Sequence, residues 1–144
     1  MSVLSPFVTL EHVALLSCSA RTLLDPLTLP EEPPNLQLRQ DAEADFDPEH
    51  SRLTVFARAR FVGLSRDEET LDIEATYRIH YRLPEGMVPT QRDVDEFAQH
   101  NGLFNAWPYL RELVSSLSAR MGLPLPPLPL LRVGASGAPQ LGEE

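Results

Sequence analysis

The sequence predicts an α+β fold, a four-stranded antiparallel sheet with a short and a long helix packed on one face. Three observations predict it. Residues 71–83 alternate without a break between apolar and polar side chains, as a strand with one dry and one wet face requires. Residues 53–64 form a second run, β-branched and aromatic, and the polar stretch Ser-Arg-Asp-Glu-Glu joins the two as a hairpin. After Leu83 the apolar period changes from two to 3.6 residues, which marks helices.

Each element follows from its local pattern. Residues 7–19 are apolar with mixed periodicity and are assigned to a first strand, separated from the next by a connection containing Pro26, Pro30, Pro33 and Pro34. In residues 35–46, Leu36, Leu38, Ala42, Ala44 and Phe46 share one face, and Asp-Pro-Glu-His at 47–50 is a turn signal. In the following hairpin, pairing 61 with 73 and 59 with 75 sets Arg60 opposite Glu74, an opposite-charge pair that helps fix the register. Thr90 can cap a short helix within 90–100. The long helix is expected to use Asn105 as N-cap, to carry Pro108 in its first turn and to stop at Gly122. Its apolar stripe is Leu110, Leu113, Val114, Leu117 and Met121. From Pro124 the chain turns Pro-rich and then Gly- and Ala-rich. The expected organisation is therefore one domain over 1–131 and a flexible tail over 132–144.

Composition narrows the function classes. At 144 residues with a formal net charge of −9, the chain suits a single domain whose average surface repels phosphate backbones and anionic lipid. Neither a nucleic-acid partner nor membrane insertion is expected, since no apolar run approaches the ~20 residues a spanning helix needs. The single cysteine, Cys18, excludes an internal disulfide framework, and His12, His50, His80 and His100 lack metal-ligand spacing. A cytoplasmic location with no metal and no cofactor is expected. Leu-Leu-Ser-Cys at 15–18 resembles a lipoprotein signal end, but Glu11 and His12 interrupt the apolar stretch and no basic residue precedes it. No nucleophile–base constellation stands out, so an enzyme is not expected. The enzymatic alternative is a hotdog-like acyl-thioester hydrolase with Glu112 as base, and the other is a small apolar-ligand carrier.

Geometry then raises a problem of coverage. Four strands make a face roughly 19 Å wide and about 43 Å long. A helix from Pro108 to Met121 is about 21 Å by about 10 Å, roughly a quarter of that face. Phe56, Val62 and Leu64 add apolar groups on the nominally wet side. Leftover apolar surface predicts self-association, a bound partner, or both.

These residues carry a family resemblance. Four antiparallel strands, the Glu-Glu-Thr entry to the alternating strand, a Gly- and Pro-containing crossover and the stretch from Trp107 to Glu112 resemble a SecB-type protein-export chaperone. The Ser-containing apolar helix and Pro-Leu tail that follow extend the likeness, which covers roughly residues 7–131. It implies an oligomer, a dimer or dimer of dimers, that holds unfolded or precursor polypeptides without ATP. Met87, Val88, Val94, Phe97, Leu103, Phe104, Trp107, Leu125 and Leu128 would line its client groove, between the crossover and the long helix. Asp72 and Glu74 would dock the preprotein translocase motor, and Ser115, Ser116, Ser118 and Ala119 would allow close approach of a second protomer. Two departures stand out: Asp72 occupies a position where the family is apolar, and residues after Leu131 show no pattern for its second C-terminal helix. A SecB-like chaperone serving a toxin–antitoxin system is the alternative within the family.

Overall fold

The alternating runs pair into one antiparallel sheet in a computed structural model that describes residues 2–29, 31–32, 34–123 and 128, and the backbone of 131–133 and 139–141. Its strands are β1 (Thr9–Thr22), β2 (Asn35–Asp47), β3 (Arg52–Ser65) and β4 (Glu68–Arg82), in the order β1-β4-β3-β2. The hairpin register is the expected one, with Phe61 facing Ile73 and Ala59 facing Ala75. Arg66 and Asp67 both take positive φ at its turn, 53° and 63°.

Alternation sorts the side chains onto two faces. On the inner face Leu53, Val55, Ala57, Ala59 and Phe61 of β3, with Leu71, Ile73, Ala75, Tyr77, Ile79 and Tyr81 of β4, are buried. β2 adds Ala42 and Ala44. The outer face carries the charged positions between them.

The helical layer runs from α1 (Gln91–Phe97) through a π-helical turn (Ala98–Gly102) into α2 (Leu103–Arg120). Thr90 begins it as predicted: its Oγ1 accepts from Asp93 N at 3.1 Å, and Asp93 Oδ2 accepts from Thr90 N at 3.4 Å. Asn105 is not the N-cap of the long helix, because the π turn joins the two helices without a break. It lies inside α2, where its Nδ2 donates to Tyr81 Oη at 2.7 Å. Pro108 is likewise interior, and exposed. Gly122 ends α2 at φ +72°, with Leu123 N donating to Ser118 O at 2.9 Å and Gly122 N to Ala119 O at 3.1 Å.

The buried face of α2 is Leu103, Ala106, Trp107, Leu110, Val114 and Ser118. The predicted stripe is therefore rotated, leaving Leu113, Leu117 and Met121 half-buried. The π turn brings the helical layer closest to the sheet. A Cβ on Gly102 would lie 2.7 Å from Val55 Cγ1, so glycine is required by the close approach. Three ring contacts secure the rest: Phe97 edge-on to Tyr81 at 4.8 Å, Trp107 beside Phe61 at 6.1 Å and Tyr109 beside Tyr77 at 6.0 Å.

In the segment expected as a tail, the backbone of β5 (Leu131–Val133) pairs antiparallel with β6 (Pro139–Leu141). Among the described residues no helix is long and apolar enough to cross a membrane.

Gly102→Ala should cost about 1–3 kcal/mol of stability through overpacking. In a urea-denaturation cycle, the penalty should shrink when Val55 is also shortened to Ala, because the clashing methyl is then gone.

Candidate functional site

Where the helical layer sits decides which apolar surface stays open. Its packing falls on β2, β3 and β4, and β1 is exposed along almost its whole length. Register with β4 places Leu10, Val13, Leu15, Cys18 and Ala20 on the inner face, opposite Tyr81, Ile79, Tyr77, Ala75 and Ile73. Leu10 and Leu15 are 46% and 44% exposed, although the residues they pair with are core. Leu16, the extra residue of a β-bulge, is 45% exposed.

Tyr77 joins this strip to α2. It is buried and lies opposite Leu15, while its Oη donates to the Tyr109 carbonyl at 3.2 Å. Burial, with the Glu112 carboxylate as a lesser cause, raises its pKa above the ordinary tyrosine value, so the phenol stays a donor. Tyr109 is 45% exposed, and Leu113 beyond it is half-buried. We call this apolar strip, from the exposed side chains of β1 across buried Tyr77 to Tyr109 and Leu113 of α2, the trough.

β1 also offers a backbone edge. Among the described residues it pairs only with β4, and at ~3.3 Å per residue its 14 residues present roughly 46 Å of edge. An extended chain added there gains main-chain hydrogen bonds while alternate side chains enter the trough.

The sequence-predicted groove residues lie elsewhere. Val94, Phe97, Leu103, Trp107 and Leu128 are buried in the core, held there by the sheet contacts above and, for Leu128, by Arg111 Nε donating to its carbonyl at 2.9 Å. Met87 and Phe104 are half-buried, and Val88 is 73% exposed. Leu125 lies outside the described residues. The leftover apolar surface expected on the hairpin's outer face is small, since Val62 is buried and Phe56 and Leu64 are half-buried. It sits on β1 instead. Sequence reading did not single out the candidate residues Leu10, Leu15, Leu16 and Tyr109. The available signal was the mixed periodicity of the first strand, which puts apolar groups on both sides of an edge.

Of the predicted docking pair, Asp72 is held by Arg60. Arg60 Nη2 donates to its Oδ2 at 2.8 Å and Arg60 Nε to its Oδ1 at 3.1 Å. Arg60 faces Glu74 in the register but turns diagonally to Asp72, leaving Glu74 exposed. Of the predicted interface residues, Ser118 is buried, its Oγ donating to Ser115 O at 3.0 Å, Ser116 is half-buried, and Ser115 and Ala119 are exposed. Two open, polar concavities of about 300 and 180 Å³ lie where Arg39, Arg58 and Arg60, and then Arg21, Glu69 and Asp72, line the sheet. Glu112 is exposed and makes no hydrogen bond to a histidine or serine among the described residues.

No family-level sequence profile matches the chain. It is similar to the SecB-like chaperone Rv1957 of Mycobacterium tuberculosis (strain ATCC 25618 / H37Rv), 39% identical over 61 residues. The match takes in 42% of this chain and 34% of the relative, so the chain spans about a third of the curated relatives it matches. The SecB-like chaperone MT2006 of strain CDC 1551 / Oshkosh matches with the same figures. The solved structure of Rv1957, in complex with a ChAD peptide from the Rv1956 HigA1 antitoxin, superposes with a TM-score of 0.75 at 22% identity. That superposition covers 90% of this chain and 91% of the other. The fold, a four-stranded antiparallel open sheet with one long C-terminal helix, is the SecB-like fold.

Core and trough should separate under mutation. Phe97→Ala or Trp107→Ala should lower unfolding free energy by about 3–5 kcal/mol in urea titration, whereas Leu15→Ser or Tyr109→Ser should leave the midpoint nearly unchanged. A second expectation concerns acid. The Arg60 guanidinium holds the Asp72 carboxyl below its ordinary 3.8, so that pair's stabilisation is present above that pH and is lost as pH falls through the lower folded value. Asp72→Asn should therefore be less stable at neutral pH and lose less on acidification, read from urea midpoints between neutrality and strong acid.

Proposed function

We propose, from the premise that this chain is a member of the SecB-like family, that it is an ATP-independent chaperone holding non-native polypeptides in the trough between β1 and α2. One observation carries the reading: apolar side chains of β1 stay open to solvent beside a strand edge that is unpaired among the described residues, next to the buried Tyr77 of β4. Burial of apolar surface is worth ~25 cal/mol per Å² and does not depend on client sequence. A client that seats three side chains of leucine size gains roughly 5–9 kcal/mol before ordering costs. Micromolar binding, near −8 kcal/mol, needs no more than that together with strand pairing.

The antitoxin peptide in the Rv1957 complex supports clients of the antitoxin type. General export is the weaker reading, because Arg60 engages Asp72 on the surface where a translocase motor would dock. Self-association of the chain is part of the proposal. Two copies can meet through the outer side of α2, where the small, exposed Ser115 and Ala119 allow close approach, which leaves the β1 edge to clients. The proposed compartment is the cytoplasm, in keeping with the lone, exposed Cys18.

The test is light scattering of a chemically denatured test protein diluted into buffer with and without this chain. Wild-type protein should suppress aggregation without nucleotide, and Leu15→Asp with Tyr109→Asp should abolish suppression while circular dichroism stays native. No suppression by the wild type, or full suppression by the double variant, sinks the reading. Light-scattering mass in dilute solution should exceed that of one chain.

A further inference from the structure

At one end of the sheet's outer face β3 and β4 carry four arginines, which client holding does not use. Register sets Arg82 beside Arg52, His80 between His12 and Thr54, Arg78 between Ala14 and Phe56, and Thr76 beside Arg58. Like charges directly opposite, as at Arg52 and Arg82, weaken a sheet and call for an opposite charge nearby. Glu11 supplies one, accepting from Arg82 Nη2 at 2.8 Å, Arg58 reaches Glu43 of β2 at 3.7 Å, and Asp47 and Asp41 of β2 face Arg52 and Arg58 in the register, which leaves Arg78 as the cation of the four with no carboxylate opposite or bonded to it among the described residues. Arg78 has no ion pair or hydrogen bond among the described residues, and its Nε is shielded from solvent without a partner. Its neighbour His80, hydrogen bonded to Thr54 Oγ1 at 3.0 Å, titrates below the ordinary histidine value, first through burial and then through Arg78 and Arg52.

We propose that this grid of Arg52, Arg58, Arg78 and Arg82, with His12 and His80, docks an extended acidic segment of a partner protein. The dimensions fit a single peptide strand. The grid spans three strands by about seven residues, roughly 10 Å by roughly 20 Å, and Arg82 and Arg78 lie about 13 Å apart on one face. Carboxylates on alternate residues of an extended peptide recur every ~6.6 Å, so every second one meets an arginine. A longer polyanion fits poorly. Asp41, Glu43, Asp45 and Asp47 line the outer face of β2 next to the grid, and the chain as a whole carries −9. The carboxylates must therefore be few and confined to the β1 side, which describes a short acidic peptide better than nucleic acid.

The proposal does not depend on the trough reading. Its test is fluorescence anisotropy of the full chain with a labelled peptide of alternating Glu and Ala, set against the matching Gln–Ala peptide and a single-stranded oligonucleotide. The acidic peptide should bind, the other two should not, and binding should weaken with added salt. Arg78→Ala and, on the fully solvated rim, Arg52→Ala should each weaken it about fivefold, a ~1 kcal/mol effect, while Arg39→Ala outside the grid should not. Arg52→Ala keeps the test valid if Arg78→Ala fails to fold. Equal binding of the Gln peptide or the oligonucleotide, or an equal loss on Arg39→Ala, overturns the proposal. So does an acidic-peptide signal that tracks only the assembly state of the chain, which would make a second copy the occupant.

Discussion

Ring packing between the helical layer and the two central strands governs the rest of this structure. Phe97 on Tyr81, Trp107 on Phe61 and Tyr109 on Tyr77 fix the layer along the sheet, and Gly102 against Val55 fixes its height. With the layer anchored over β3 and β4 and leaning towards β2, its width is spent before it reaches β1. The exposed leucines of the first strand are thus a geometric result of where the aromatic residues were placed. The proposed client site is a consequence of where the helical layer stops.

The two faces divide the work by chemistry. The inner face offers apolar area, which under the proposed function suits clients that differ in sequence and share only greasiness. The outer face is written in charge, with Arg60 and Asp72 closing one end of the hairpin and Arg78, without an ion pair or hydrogen bond among the described residues, towards the other. Tyr77 and Tyr81 mark the boundary on the inner side, each giving its ring to the core and its hydroxyl to α2. Burial pushes the Tyr81 hydroxyl up to about 12, against the lowering effect of Asn105, so the link to the helix stays protonated across any ordinary pH.

Much of the fold was legible because its strands alternate cleanly. The β3–β4 register, the Thr90 cap and the Gly122 stop follow from local patterns whose physics is local. What was not legible depends on which element lies opposite. The periodicity of α2 names Leu113, Leu117 and Met121 as apolar, but the sheet selects Ser118 instead, since a small side chain bonded to its own backbone lets the helix end sit close. Asn105 reads as a cap in sequence because nothing local announces the π turn before it, and its real partner, Tyr81, is 24 residues away in the chain. The site suffered most. Phe97, Leu103 and Trp107 have the composition of a greasy groove, and equally of a core, and only the position of the sheet distinguishes the two. Arg60 was rightly set opposite Glu74, yet a long side chain chooses diagonally, and Asp72 offered the two-point geometry.

The first strand is not a straight ribbon. Its pairing with β4 slips twice, between Leu10 and His12 and again between Leu15 and Ser17, and each slip throws one residue out of step. A bare, greasy margin of this length is the kind on which identical sheets can stack end over end into insoluble fibres. The two kinks coil the margin and break its repeat, and Glu11, at the first of them, is drawn sideways onto Arg82. A pliant chain can follow that bent contour, whereas a stiff, flat template cannot, so an edge left open for the proposed guests is also one that resists fibre growth.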